Sequence, residues 1–173
     1  MREICEKANC NVSAISYHFG SKDELYKACL SEEGSSILSF MESIFTEPIN
    51  KDDMVAKLRL YLIHHFEHGA NNRDIILIIS RDVNSKAAKA NIHTIFKKIP
   101  ETMNHFFKTA QEKGFIRSDI ETSYLGDFFL GPLFMQVLFA EKVMNNNDVS
   151  DPAFRERFVT GLLQNLLNGI LAE

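Results

Sequence analysis

The chain has 173 residues, a formal net charge of −4, 45% apolar and 24% charged residues, and no tryptophan. That length is enough to bury a substantial core in one or two domains. The acidic balance excludes binding to nucleic acid through bulk positive charge. The longest apolar run, 128–140, is broken by Gln136 and is shorter than the ~18–20 residues a membrane span requires, so no membrane partner is expected.

Residues 2–8 form a short helical run with Ile4, Cys5 and Ala8 toward one side, followed by the turn Asn9-Cys10-Asn11. Asn9 tolerates the left-handed backbone that a tight inter-helix turn needs, and Asn11 is a good N-cap. The next helix presents Val12, Ser13, Ala14, Ser16, Tyr17 and His18 outward and turns Ile15 and Phe19 inward. Small outer groups let a helix lie against base edges, while the Tyr17 hydroxyl and His18 ring can reach phosphates. Gly20 ends this helix, and Ser21 with Glu24 has the spacing of a capping box for the one that follows. Lys22 sits in that helix's first turn, where a cation opposes the helix dipole. A placement unfavourable for stability points to a phosphate contact. Helix, tight turn and small-faced second helix together read as a helix-turn-helix.

Helix punctuation is frequent downstream and strand signals are nearly absent. One helix is expected from 21 to about 45, stopped before Pro48. The next runs from 50 to 68, with Met54, Leu58, Tyr61, Leu62 and His65 on a stripe and Gly69 as its C-cap. The run 72–83 reads as a central helix buried on all sides. Helices 85–113, with Pro100 inside and Gly114 at its end, and 119 or 121 to 145, with Gly131-Pro132 inside, follow. A polar loop at 145–148 leads to Asp151-Pro152, which starts a last helix to about 171. The fold class is thus all-α, with a head at 1–46 and a second domain at 47–173.

The last helix has two apolar rows, Phe154, Phe158, Leu162, Leu166 and Ile170 beside Val159, Leu163, Leu167 and Leu171. With the aromatic-rich helix before it, this exceeds what one core absorbs and predicts a four-helix homodimer interface. Its residues are expected to be Phe128, Phe139, Phe158, Leu162, Leu163, Leu166, Leu167 and Ile170. Pro100 and Gly131-Pro132 loosen packing locally, and a cavity there would be lined by aromatic and aliphatic groups. Leu62, Phe66, Arg81, Met103, Phe106, Phe107, Phe129 and Met135 are its expected lining. His64 and His68 have the spacing of two metal ligands, but no third ligand accompanies them, and no metal is expected. No nucleophile with a base and an orienting group, and no phosphate-binding glycine loop, is present, so neither catalytic residues nor a cofactor is expected. Cys5, Cys10 and Cys29 are odd in number and without paired spacing. They read as reduced cytoplasmic thiols, with Cys5 and Cys10 as small core hydrophobes; a redox sensor is the lesser alternative, since sensing thiols need a cationic, exposed setting.

The segment ANCNVSAISYHFGSKDELYKACL, with its Asn11 cap, apolar Ile15, Tyr17-His18-Phe19 and Ser21-Lys22, resembles the DNA-binding domain of the TetR family of bacterial regulators. Asn11, the small Ala14 and the YHFGSK run look most like its CecR-like branch. Asn9 stands where the family usually has glycine. The resemblance implies a TetR-like helical bundle with a ligand-binding and dimerisation domain. It implies DNA contacts at Asn11, Ser13, Tyr17, His18 and Lys22, with Val12, Ala14 and Ser16 as base readers. It also implies a small apolar effector as a partner and, where the missing N-terminal helix is present, double-stranded operator DNA. The family's helix preceding the motif lies outside this sequence. The head is therefore expected to be incomplete and its first ten or so residues rearranged, and a dimeric effector-binding or interaction module without DNA binding is the alternative.

Overall fold

The computed structural model describes residues 1–82, 92–139 and 148–171. Eight helices run among them: α1 (Arg2–Lys7), α2 (Val12–Phe19), α3 (Lys22–Ile44), α4 (Lys51–Asn71), α5 (Arg73–Asp82), α6 (Ile92–Glu112), α7 (Leu125–Phe139) and α8 (Pro152–Ile170). A 3-10 turn, Thr122–Tyr124, leads into α7. The β structure among the described residues is an isolated antiparallel bridge between Ile116 and Leu171. The all-α class is as the sequence implies. The expected start of the sixth helix at 85 and the polar loop from 145 to 147 lie outside the described residues.

Local chemistry sets most helix ends. Asn11 Oδ1 accepts from the Ala14 N–H at 2.6 Å, and Asn50 Oδ1 from the Asp53 N–H at 2.8 Å. Asp151 accepts from Ala153 and Phe154 at 2.9 and 3.1 Å, with Pro152 behind it. Each cap satisfies donors that a helix start leaves without intrahelical partners. Gly69 departs from expectation. It lies inside α4, which continues to Asn71, and a Cβ there would stand 3.1 Å from Val137 Cγ2. Its missing side chain serves the close approach of α4 and α7 rather than a C-cap. The α5 helix also differs from the all-round burial expected of it: Ile76 is buried, but Ile78 is 42% exposed.

The core is built on α4, whose Met54, Leu58, Tyr61, Leu62 and Phe66 are all buried. Helices α7 and α8 pack on it and contribute Phe129, Leu133, Val137, Val159, Leu163 and Leu167. Helix α6 packs on α3, so Met103, Phe106 and Phe107 meet Met41 and Phe45 in the same core. Burying such a side chain contributes about 1.5–3 kcal/mol. The Arg155 side chain is buried too. Its guanidinium donates to the Val149 and Ser150 carbonyls at 2.9 and 2.8 Å and faces Glu67 at 3.6 Å, which fixes the start of α8 against α4. The head reaches this core through α3, since α2 packs on α3, and Leu30 forms a separate small cluster with Tyr26, Ile75 and Ile79.

Candidate nucleic-acid interface

Helix α1, a turn and α2 form the head. Asn9 adopts φ 49°, the left-handed turn its side chain tolerates, and Gly20 closes α2 at φ 75°. Cys5 and Ile15 are buried between the helices at 4% and 6% exposure, whereas Ile4 and Phe19 each remain 39% exposed. The expected inward turn of Phe19 is therefore partial. Ser21 caps α3 by accepting from the Glu24 N–H at 3.1 Å. The reciprocal half of the capping box is not made: the Ser21 N–H donates to Phe19 O at 2.9 Å, and Glu24 instead takes Lys27 Nζ at 2.7 Å.

The outer face of α2 is open. Tyr17 is 86% exposed, and its ring meets His18 edge-on at 5.2 Å. Asn11, Val12, Ser13, Ser16 and His18 are exposed, Ala14 is half-buried, and Lys22 is exposed at the start of α3. The structure thus brings all eight predicted positions onto one continuous surface, the exposed side of α2 and the first turn of α3. Small Ser13, Ala14 and Ser16 leave room for a groove wall, and Tyr17, His18 and Lys22 flank them with phosphate-seeking groups. Asp23 and Glu24 sit beside Lys22, so the face depends on placement and not on net charge.

The other predicted clusters resolve differently. Leu62, Phe66, Met103, Phe106, Phe107 and Phe129 are at most 1% exposed. Several of them pack on one another, Phe107 stacking on Phe129 at 5.5 Å and meeting Phe106 edge-on at 5.8 Å, while Met103 and Phe129 each also line an open groove. Met135 lies at the surface, 42% exposed, and the Arg81 side chain lies outside the described residues. An open groove of about 270 Å³ does lie at the two prolines, lined by Ile99, Pro100, Met103, Leu130, Gly131 and Phe134. Of the predicted dimer residues, Leu163, Leu167 and Ile170 are buried in the chain's own core. Phe128 and Phe139 are exposed at 58% and 39%, and Phe158, Leu162 and Leu166 are half-buried.

His64 and His68 face each other nearly parallel, ring centroids 6.1 Å apart. His64 also stacks on Phe40 at 3.6 Å, and His68 Nε2 lies 2.5 Å from Glu33 Oε1. Among the described residues no three potential ligands gather around a metal position. The Glu33–His68 contact ties α3 to α4, a link the sequence reading missed because the partners are far apart in the chain. His65 packs against Tyr61 and Phe134, and burial first, then His68 and His64, pushes its pKa down to about 4. The folded state therefore holds it neutral while the unfolded chain takes up its proton. Its contribution is fully present above pH 6.5, the unperturbed value, and is lost as pH falls from there through 4. We expect the urea midpoint to drop across that window and the drop to shrink in His65→Gln. An equal drop in both proteins would contradict this origin.

Among the described residues the chain is an all-α bundle whose first two helices and turn have the form of a helix-turn-helix. Residues 1–29 match the family model for bacterial regulatory proteins of the tetR family. No curated protein matches the chain. Among solved structures, the ketosteroid transcriptional regulator KstR2 of Mycobacterium tuberculosis is similar, with a TM-score of 0.72 at 17% identity over 99% of this chain and 84% of that one. The fatty acid degradation regulator FadR from Bacillus halodurans gives 0.74 at 18% identity, over 99% and 86%. FadR from Bacillus subtilis in complex with stearoyl-CoA gives 0.74 at 16%, over 98% and 87%. At these identities the likeness is one of fold.

Proposed function

We propose that this protein is a dimeric, cytoplasmic transcriptional regulator, without enzymatic activity, that binds operator DNA through α2 and represses until a small apolar effector binds the domain beyond residue 46. The observation that carries this reading is the exposed, capped face of α2 within the segment matched by the family model. The stearoyl-CoA bound by one similar structure and the ketosteroid in the name of another support an effector with a large apolar part. Selection of bound sequences from a random duplex library tests it: enrichment of a two-fold symmetric site supports the reading, and absence of any enriched site overturns it. Two recognition helices on one duplex would lie roughly 34–36 Å apart.

For the dimer, the exposed Phe128 and the half-buried Phe158, Leu162 and Leu166 support a surface between copies. Leu166→Glu is expected to halve the mass seen by light scattering at micromolar concentration while leaving the helical signal intact, since a charge there would be desolvated without a partner. A dimer that survives the substitution would move the interface elsewhere. Leu163 and Leu167 do not serve this test, because a charge there would disrupt the core itself.

A further inference from the structure

The head holds two thiols at one spot. Cys5 on α1 is buried and Cys10 in the turn is exposed, and both line one small cleft with Arg2. The Cys10 N–H donates to the Cys5 carbonyl at 3.0 Å, which holds the two backbones side by side. Burial first, and then the neighbouring Cys10, raises the pKa of the Cys5 thiol. Backbones this close fall within the reach of a disulfide.

We propose that Cys5 and Cys10 form a redox site, oxidised by a hydroperoxide to an intramolecular disulfide that constrains the start of α2. The roles follow from exposure. Cys10, open to solvent, attacks the distal peroxide oxygen as thiolate; the O–O bond breaks, leaving Cys10 as a sulfenic acid and releasing water or an alcohol. The sheltered Cys5 sulfur then displaces hydroxide from the Cys10 sulfur. The S–S bond forms, and the hydroxide leaves as water with the Cys5 proton. Two thiols lose two electrons, which the hydroperoxide takes up.

The consequence for α2 is geometric and rests on the DNA-binding reading. Closing the sulfurs to about 2.05 Å replaces two free side chains with one fixed geometry and locks the turn to α1. Cys10 immediately precedes Asn11, whose side chain caps α2. The constraint therefore acts at the end of the helix that carries Ser13 and Tyr17, and oxidation should weaken DNA binding.

The test uses the full chain with Cys29→Ser, treated with hydrogen peroxide, alkylated and mapped by mass spectrometry. The expected product is a monomer that has lost two hydrogens, with Cys5 and Cys10 protected together and both recovered by dithiothreitol. In Cys5→Ala, Cys10 should be trapped by dimedone as its sulfenic acid; in Cys10→Ser, Cys5 should stay alkylatable. Free alkylation of both thiols after peroxide, disulfides only between chains, or equal oxidation in folded and urea-unfolded protein would overturn the proposal. Reduced chain should bind a selected duplex at least about tenfold more tightly than oxidised chain; equal affinity would overturn the coupling to α2. A reduced chain that binds no duplex would instead remove the DNA-binding reading, while the intramolecular disulfide would still be read by mass.

Discussion

Phe107→Ala is expected to lower the unfolding free energy by about 3–5 kcal/mol. Phe107 is fully buried, lies flat on Phe129 of α7 and edge-on to its α6 neighbour Phe106. Its removal costs the transfer of the ring, the stacking with Phe129 and the cavity left behind. The neighbours are held from three sides by α3, α4 and α7, so the site cannot collapse to recover the loss. At roughly 2–4 °C per kcal/mol for a chain of this size, thermal unfolding should begin about 10 °C lower. Phe107→Leu keeps most of the volume and should cost far less. A loss below about 1 kcal/mol for the alanine variant would mean that α6 and α7 are not joined by this stack.

How much of this was legible depended on range in the sequence. Caps could be read because their chemistry is complete within four residues: Asn11, Ser21, Asn50 and Asp151 all accept from their own helix starts. Gly69 was misread because a glycine ends a helix only when nothing else demands its missing side chain, and Val137 is far away in sequence. The aromatic positions of α6 and α7 were recognised as inward-facing, yet periodicity cannot separate a ring that lines a void from one that fills it. The two apolar rows of α8 were likewise visible. Only the tertiary structure distinguishes the buried row of Val159, Leu163 and Leu167 from the half-buried Phe158, Leu162 and Leu166. Cys10, expected in the core with Cys5, is exposed, because the left-handed Asn9 turns the chain outward one residue before it. For the head, the exposed side of α2 could be read in advance because the helix is short, starts at the Asn11 cap and buries only Ile15.

That face gives the second large effect. Lys22→Ala is expected to weaken binding to every duplex sequence by a similar factor, on the order of tenfold for a dimer that presents the residue twice. The slope of log affinity against log salt should fall by about 0.9 for each phosphate contact removed, and so by roughly two over both heads. The reason is position: Lys22 is the first residue of α3, beside the exposed end of α2, where a backbone phosphate would pass as the helix enters a groove. Phosphate contacts position the protein without reading sequence. Ser13 and Ser16 lie on the outer face of α2 itself, and replacing either with a larger side chain should change which bases are preferred more than it changes the salt slope. Tyr17→Phe separates the two roles further, since it removes only the hydroxyl from a ring that is 86% exposed and should resemble a milder Lys22→Ala. If Lys22→Ala altered sequence preference while leaving the salt slope unchanged, α3 would be entering the groove in place of α2, and the orientation of the head on DNA would have to be reversed.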